Sequence, residues 1–205
     1  MIIFIFVKIL KMTSVLKKVK CNVLDMLAYR KCIISEESIS DFKKSNTLKF
    51  ETETTYDMFI ISRIAKFSKS VLKNLVETSI IPTSKNININ LIILDNISSN
   101  SIQNNIKIIE KENNVRINLF HFESFLVNPT KHSLFSHHEK VVHENIDEFK
   151  QELCNKLYIE KIDQLPKISV NDIMAKYIDL KVGELVKITR NTKNASNMII
   201  YKICV

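Results

Sequence analysis

Glycine is almost absent from this chain of 205 residues, in which Gly183 is the only example. A P-loop needs two glycines and the dinucleotide-binding fingerprint needs three, because backbone N–H groups must approach phosphates without a Cβ between them. The glycine-x-serine-x-glycine elbow of the α/β-hydrolases requires two as well. The sequence therefore excludes these three kinds of catalytic or nucleotide-binding site.

Cysteine is also sparse, and tryptophan is missing. The four cysteines stand far apart with no C-x-x-C pair, which is typical of reduced thiols in an intracellular protein and not of a disulfide framework; they are Cys21, Cys32, Cys154 and Cys204. The apolar run at residues 1–7 is interrupted by Lys8, well short of the roughly 20 residues of a membrane span. Its basic residues follow the run, unlike those of a signal peptide, so we expect neither a signal nor a span.

Positive charge is concentrated at the start of the chain. Residues 1–31 contain seven lysines and arginines against one acidic residue, whereas the remainder is close to balanced and the whole chain has a net charge of +8. Clustered lysines displace counterions from phosphates, so Lys17, Lys18 and Lys20 are candidates for nucleic-acid binding. A solvated helix face would show the same pattern.

Hydrophobic periodicity predicts an α/β arrangement in the first part of the chain. Two helices are expected first, at residues 8–31 and at 35–44, the second capped by Ser35. Strands are then expected to alternate with helices, which predicts a parallel core; the strands are at 48–53, 56–62, 87–94 and 115–120, and the helices at 67–78, 101–113 and 122–127. The apolar residues 89–94 predict a central strand covered on both faces.

A second domain is predicted to follow the Asn128-Pro129 pair, which is typical of a boundary. It should contain a helix at 145–157, a helix begun by a Ser169–Asp172 capping box and reaching Leu180, and an antiparallel pair of strands at 185–190 and 198–205. Pro166 should stiffen the entry, and Gly183 should take a positive φ where helix turns into strand. We therefore predict an α/β domain at 1–128 and a small mixed α+β domain at 129–205.

Several motifs of the C-terminal part occur in a familiar order. They are His132-Ser-Leu134, His138, Gln164-Leu-Pro166-Lys-Ile168, the helix at 172–180, Gly183-Glu-Leu-Val-Lys-Ile188-Thr-Arg190 and Tyr201-Lys-Ile-Cys204. In this order they resemble the C-terminal module of the fifth subunit of nuclear RNA polymerases, a family that is similar to a small subunit of the archaeal polymerases. Ser136 stands where the family pattern has a proline.

The resemblance implies a non-catalytic subunit of a DNA-directed RNA polymerase. Its N-terminal domain would form part of the lower jaw near downstream DNA, and its C-terminal domain would be an assembly domain docking on the largest subunit beside other polymerase subunits. The implied partner contacts are His132, Leu134, His138, Lys187, Arg190 and Tyr201. Residues 98–101 lie where the family has a threonine–proline–serine–alanine element thought to face DNA, so Ser98, Ser99 and Ser101 are DNA-proximal candidates, with helix capping as the alternative.

The resemblance implies no cofactor, metal, membrane or small-molecule substrate. The N-terminal half of the chain diverges from the family, and the composition indicates AT-rich coding. Both features favour a protein of a large DNA virus, located in the host cytoplasm and the virion. A nuclear protein of a divergent protist would look the same. The runner-up function is a free nucleic-acid-binding transcription factor.

Two further patterns resemble metal chemistry. All five histidines lie within residues 121–143, but no cysteine lies among them and no i, i+4 pair sets a coordination angle. Asp41-Phe-Lys43 and Glu148-Phe-Lys150 match half of a nuclease site, which would need a second acid such as Asp57 or Asp95. Both tripeptides fall in predicted helices, so neither pattern is favoured.

Overall fold

A computed structural model describes residues 2–52, 55–62, 70, 73–74, 86–94, 99–113, 115–192 and 195–205. The chain divides into two compact units, Met1–Val127 and Asn128–Val205.

The first unit combines a four-stranded sheet with helices. Its helices are α1 (Ile2–Tyr29), α2 (Glu36–Lys44), α3 (Ser99–Asn113) and a 3₁₀ helix at Phe122–Phe125. Its strands are β1 (Thr47–Glu51), β2 (Thr55–Ser62), β3 (Asn86–Ile93) and β4 (Val115–His121), in the order β1-β2-β3-β4. Strands β2, β3 and β4 are parallel, which confirms the predicted parallel core, and β1 joins the edge antiparallel.

Strand β3 is buried on both faces, as its apolar sequence predicted. One face of the sheet packs on α3 through an apolar cluster that includes Met58, Ile89, Leu91, Ile106 and Ile109. The opposite face carries buried amides, with Asn118 Nδ2 donating to Asn90 Oδ1 at 3.2 Å.

Two helix predictions in this unit have clear outcomes. Ser35 caps α2, since its Oγ accepts from the Ser38 N–H at 3.2 Å, which confirms the predicted cap. The predicted helix at 122–127 is wrong, because only a short 3₁₀ helix forms there and ends at Phe125. The helix predicted at 67–78 falls largely outside the described residues.

The second unit is a mixed sheet with two helices. Its strands are β5 (His137–Lys140), β6 (Lys167–Ile168), β7 (Leu185–Thr192) and β8 (Ala195–Cys204), in the order β5-β7-β8-β6. Its helices are α4 (Ile146–Leu157) and α5 (Ile173–Tyr177), with 3₁₀ helices at Pro129–Lys131 and Ile162–Gln164. The antiparallel pairing of β7 with β8 confirms the prediction, whereas β5 and β6 were not predicted.

Helix α4 packs on one face of this sheet. The buried cluster there comprises Leu153, Leu165, Leu185 and Ile203, and Phe149 and Tyr201 lie against it.

The start of α5 differs from the predicted capping box. Asp172 is the N-cap, and its Oδ1 accepts from the N–H groups of Met174 at 2.8 Å and Ala175 at 3.4 Å. Ser169 Oγ instead accepts from the Asn171 N–H at 3.2 Å, within the turn that precedes the helix. The helix is therefore shorter than predicted and ends at Tyr177 and not at Leu180.

Gly183 has the expected positive φ of 83°, but it does not end a helix. It is the third residue of a turn closed by the Glu184 N–H donating to the Lys181 carbonyl at 3.0 Å, a position that needs positive φ in a type II turn. A Cβ at this residue would meet no atom within 4 Å, so the preference for glycine is purely conformational.

Three helices end at a residue other than glycine with positive φ. These residues are Lys31 after α1, Tyr158 after α4 and Asp179 after α5. Each lies in a Schellman motif, because the following N–H donates back to the carbonyl five residues earlier, at 3.0 Å for Cys32 to Leu27 and for Ile159 to Cys154 and at 2.8 Å for Leu180 to Ala175.

Candidate partner-binding site

The first predicted contacts lie on a turn that precedes β5. His132 Nδ1 accepts from the Leu134 N–H at 3.2 Å, and the His132 carbonyl accepts from the Phe135 N–H at 3.0 Å. Both bonds fix the turn locally. Leu134 is nevertheless 84% exposed, so the turn presents an apolar side chain to solvent.

His138 is half-buried on β5, opposite Ile188 of β7. Its Nδ1–H donates to the Ser136 carbonyl at 2.6 Å, and its ring centroid lies 5.9 Å from that of Phe135. Burial lowers the pKa of His138 below its ordinary value of 6.5. The Ser136 carbonyl and Asp172 oppose this shift in the pKa, while Lys202 and Arg190 add to it.

The strand register separates the remaining predicted contacts. Glu139, Lys187 and Tyr201 are directly opposite one another on β5, β7 and β8, so they share one face. Arg190 is an odd number of residues from Lys187 and therefore lies on the other face, beside His138. Lys187 and Arg190 therefore do not share a face, and the role of each as a partner contact stays a prediction.

These side chains differ in their contacts within the protein and in their exposure to solvent. Tyr201 packs edge-on to Phe149 with ring centroids 6.2 Å apart, and Lys187 Nζ lies 4.0 Å from Glu139 Oε2. Arg190 is exposed. Arg190 is therefore the most accessible charged group of the predicted set.

Pro166 begins the segment of the short strand β6. Its carbonyl accepts from the Ile203 N–H at 3.0 Å, which joins the segment to β8. Pro166 is itself exposed, so its contribution is made through the backbone.

Asn128 was missed as a structural residue, because the Asn-Pro pair was interpreted only as a boundary. Its buried Oδ1 accepts from the Thr130 N–H at 2.9 Å, from the Thr130 hydroxyl at 2.7 Å and from the Tyr177 hydroxyl at 3.4 Å. The side chain therefore ties the start of the second unit to α5.

The predicted DNA-proximal serines are only partly described. Ser99 begins α3 and Ser101 lies in its first turn, whereas Ser98 is outside the described residues. Their proximity to DNA stays a prediction.

The basic first helix offers fewer free lysines than its sequence suggested. Lys17 and Lys18 are exposed, but Lys20 is only 7% exposed. Lys20 Nζ donates to the Lys43 carbonyl at 3.2 Å and to the Ser45 carbonyl, and it lies 5.5 Å from the Phe42 ring centroid. Burial lowers the pKa of Lys20. This lysine caps the C-terminus of α2, so its assignment to nucleic-acid binding is wrong.

The nuclease pattern does not assemble within the described part of the chain. Asp41 is exposed on α2, whereas Asp57 is buried on β2 and accepts from Thr55 Oγ1 at 2.6 Å and Asn88 Nδ2 at 3.4 Å. Glu148 lies in α4 of the other unit, and Asp95 is not among the described residues. In the part of the chain that the structure describes, no group of three or more histidine, cysteine, aspartate or glutamate side chains could hold a metal ion.

Within the described ranges, no helix combines the length and the apolar character needed to cross a membrane.

Comparison with known proteins finds subunits of DNA-directed RNA polymerases. The family described as "RNA polymerase Rpb5, C-terminal domain" matches residues 127–204. The chain is 36% identical over 95 residues to the rpabc1 subunit of DNA-directed RNA polymerases I, II and III of Dictyostelium discoideum, which is 46% of each chain. It therefore matches less than half the length of that relative.

Two further relatives differ in how much of this chain they match. The DNA-directed RNA polymerase subunit Rpo5 of Methanosarcina mazei is 39% identical over 77 residues, which are 37% of this chain and 97% of the relative. A protein of Invertebrate iridescent virus 6, named as a candidate subunit of DNA-directed RNA polymerase, is 27% identical over 176 residues, 83% of this chain and 89% of the relative. The viral match thus extends well beyond the C-terminal unit.

Proposed function

The chain belongs to the Rpb5 family of DNA-directed RNA polymerase subunits, and from this membership we propose that it is a non-catalytic assembly subunit that docks on the largest polymerase subunit. The N-terminal unit would form part of the lower jaw near downstream DNA. Templates, nucleotides and catalytic metal would be held by the large subunits. The absence of glycine-rich phosphate-binding motifs from the sequence supports a subunit that does not itself bind nucleotides.

One observation carries the proposal. The residues that match the family, 127–204, nearly coincide with the compact unit Asn128–Val205. The similarity therefore covers a structural module with its own buried cluster and its own sheet. A module that forms such a unit can serve as an anchor for the rest of the chain.

The module offers three kinds of contact for a protein partner. Leu134 presents an exposed apolar side chain next to His132. Arg190 presents a guanidinium, whose planar donors match carboxylates and backbone carbonyls. His138 lies half-buried on the same sheet face as Arg190. We assign the docking surface to these four residues, with Lys187 and Tyr201 contributing from the opposite face.

The test is co-purification with the largest subunit of the same polymerase. The wild-type chain should purify at unit stoichiometry with that subunit. Arg190→Glu should weaken the association by about tenfold or more. The substitution replaces an exposed cation by an anion, which would repel the partner carboxylates that the guanidinium is proposed to bind. Lys156→Glu makes the same change of charge on exposed α4 and serves as the matched control.

The two charge reversals distinguish a specific contact from a general effect of charge. Equal binding of Arg190→Glu and the wild type would contradict the assigned docking surface. If the wild-type chain is recovered without any polymerase subunit, the proposed function is wrong.

A further inference from the structure

Strand β8 is much longer than the strand beside it. On one side it pairs with β7 along its length, from Leu185 opposite Ile203 to Arg190 opposite Met198. On the other side β6 pairs only with Ile203 and Cys204. Among the described residues of the second unit, those of β8 that precede Ile203 therefore have no neighbouring strand on that side and form an open edge of the sheet.

The hydrogen bonds show which backbone groups point outward from this edge. The Cys204 N–H donates to the Glu184 carbonyl at 2.9 Å, on the β7 side. The Ile203 and Val205 N–H groups donate to the carbonyls of Pro166 at 3.0 Å and Ile168 at 2.9 Å, on the β6 side. Successive residues alternate in direction along a strand, so the N–H and C=O groups of Ile199 and Tyr201 also point outward. No described residue hydrogen-bonds to these groups.

The other unit protects the edges of its sheet. At edge strand β4 the Ile117 N–H donates to Glu110 Oε1 at 2.8 Å, so a helix side chain occupies an edge donor. At the opposite edge, β1 is short and carries the exposed charged residues Lys49 and Glu51. Both are common devices against strand addition. At the described β8 edge no side chain occupies the donors of Ile199 and Tyr201, and Ile199 is 51% exposed beside them.

The side chains around the open edge are suited to a protein strand. Met198 and Ile199 lie half in solvent on opposite faces, and Ile200 and Tyr201 follow them. Lys202 is half-buried on the His138 face, and no described residue forms an ion pair with it. An added strand would gain main-chain hydrogen bonds from the edge, apolar contacts from both faces and a favourable position for a carboxylate opposite Lys202.

We infer that the edge of β8 at Ile199–Tyr201 accepts an extended segment of a polymerase subunit as an added strand, with an acidic side chain on the Lys202 side. The added strand would occupy the position that continues β6 beyond Pro166. This inference rests on the proposed function, since it assigns a mode of contact to the docking of the second unit.

The test uses the full-length chain co-expressed with the largest subunit of its own polymerase. Ile199→Pro removes an outward N–H, a position at which an edge strand tolerates proline. Its ring also obstructs a neighbouring strand, so the variant should bind about tenfold more weakly or worse. Ile199→Thr keeps the N–H and is the matched control, which should bind within about threefold of the wild type. Unchanged circular dichroism and unfolding midpoints establish that both variants fold.

Amide hydrogen exchange gives a second readout that does not depend on any variant. The Ile199 and Tyr201 amides should exchange quickly in the free chain and become protected in the complex. Lys202→Glu should weaken the complex without changing the exchange of these amides in the free chain.

The outcomes separate this inference from the function on which it rests. If the complex forms, Ile199→Pro binds as the wild type does and both amides remain unprotected, the added strand is overturned while the subunit role stands. Protection of the same amides in a self-associated dimer would assign the edge to a second copy and overturn the inference. If the wild type binds no polymerase subunit, the proposed function fails and the inference fails with it.

Discussion

At the scale of single residues, the surroundings of His138 act on the pKa of its imidazole in opposite directions. Burial lowers the pKa of His138, and the nearby Lys202 and Arg190 also disfavour the charged imidazolium. The Ser136 carbonyl, which accepts from Nδ1–H at 2.6 Å, and Asp172 favour the imidazolium. Burial dominates, so the folded protein binds a proton at His138 less readily than the unfolded chain does.

This imbalance predicts a dependence of stability on pH. As the pH falls through the unfolded value of 6.5, the unfolded chain gains a proton that the folded protein does not take up, so the free energy of unfolding should decrease. The decrease should level off below the folded pKa. Urea unfolding at several pH values measures it, and His138→Asn, which keeps a donor for the Ser136 carbonyl, should flatten this part of the profile. His137→Asn makes the same substitution at the exposed neighbouring residue and is the matched control. An identical slope in His138→Asn would contradict the assignment.

The residue scale also shows why sequence patterns were incomplete. The positive φ of Gly183 is confirmed because glycine is the residue that most readily adopts it. Lys31, Tyr158 and Asp179 adopt positive φ as well. Aspartate does so more readily than most residues, but a lysine or a tyrosine gives no such signal in the sequence. The capping box was misassigned because Ser169 and Asp172 are both good caps, and only the structure shows which one begins the helix.

At the scale of elements, α1 and α2 are joined by one buried lysine. The carbonyls at the C-terminus of a helix lack partners within the helix, and Lys20 Nζ donates to two of them, those of Lys43 and Ser45. The ammonium nitrogen also lies 5.5 Å from the centroid of the Phe42 ring, which is itself fully buried. This arrangement satisfies the helix end and places a cation at the negative end of the helix dipole.

Replacing this lysine should loosen the packing of the two helices. Lys20→Met retains the apolar stem but leaves both carbonyls without their donor, so the free energy of unfolding should fall by about 1–3 kcal/mol. Lys17→Met removes one positive charge from an exposed position three residues earlier and should change the free energy by no more than about 0.5 kcal/mol. Denaturant unfolding of both variants measures the difference. Equal stabilities would show that the buried ammonium does not stabilise the α2 terminus.

Long elements with strong periodicity were predicted well, and short or polar elements were not. Strands β2 and β3 have continuous apolar runs, so both their existence and their burial followed from the sequence. Strand β5 has the sequence His-His-Glu-Lys, which carries no apolar alternation, and it forms only because β7 provides a partner. Strand β6 consists of two residues and is defined entirely by its pairing with β8. The candidate site was taken from the resemblance and its role stays a prediction, whereas its division between two sheet faces follows from the register of β5, β7 and β8.

At the scale of the whole molecule, the two units differ in how far known relatives share them. The Rpo5 subunit of Methanosarcina mazei is matched along 97% of its length by a stretch that makes up only 37% of this chain. That relative is therefore about as long as the second unit alone. The assignment of the first unit to a jaw and of the second to assembly remains part of the proposal.

The second unit should accordingly fold without the first. A fragment comprising residues 128–205 contains the whole cluster of Leu153, Leu165, Leu185 and Ile203. We expect dispersed amide resonances and a cooperative unfolding transition, with a stability of no more than about 3–5 kcal/mol because small cores bury little apolar area. The fragment should also retain association with the largest polymerase subunit. A fragment that stays unfolded until residues 1–127 are supplied would contradict the independence of the unit.

The ends of α1, α4 and α5 have a consequence for protein engineering. Each helix is followed by a residue other than glycine that has a positive φ. For an L-amino acid with a Cβ, this backbone geometry costs about 1 kcal/mol. A glycine at any of these three positions would adopt the same backbone geometry without that cost, so the thermal stability could be raised without a change of fold.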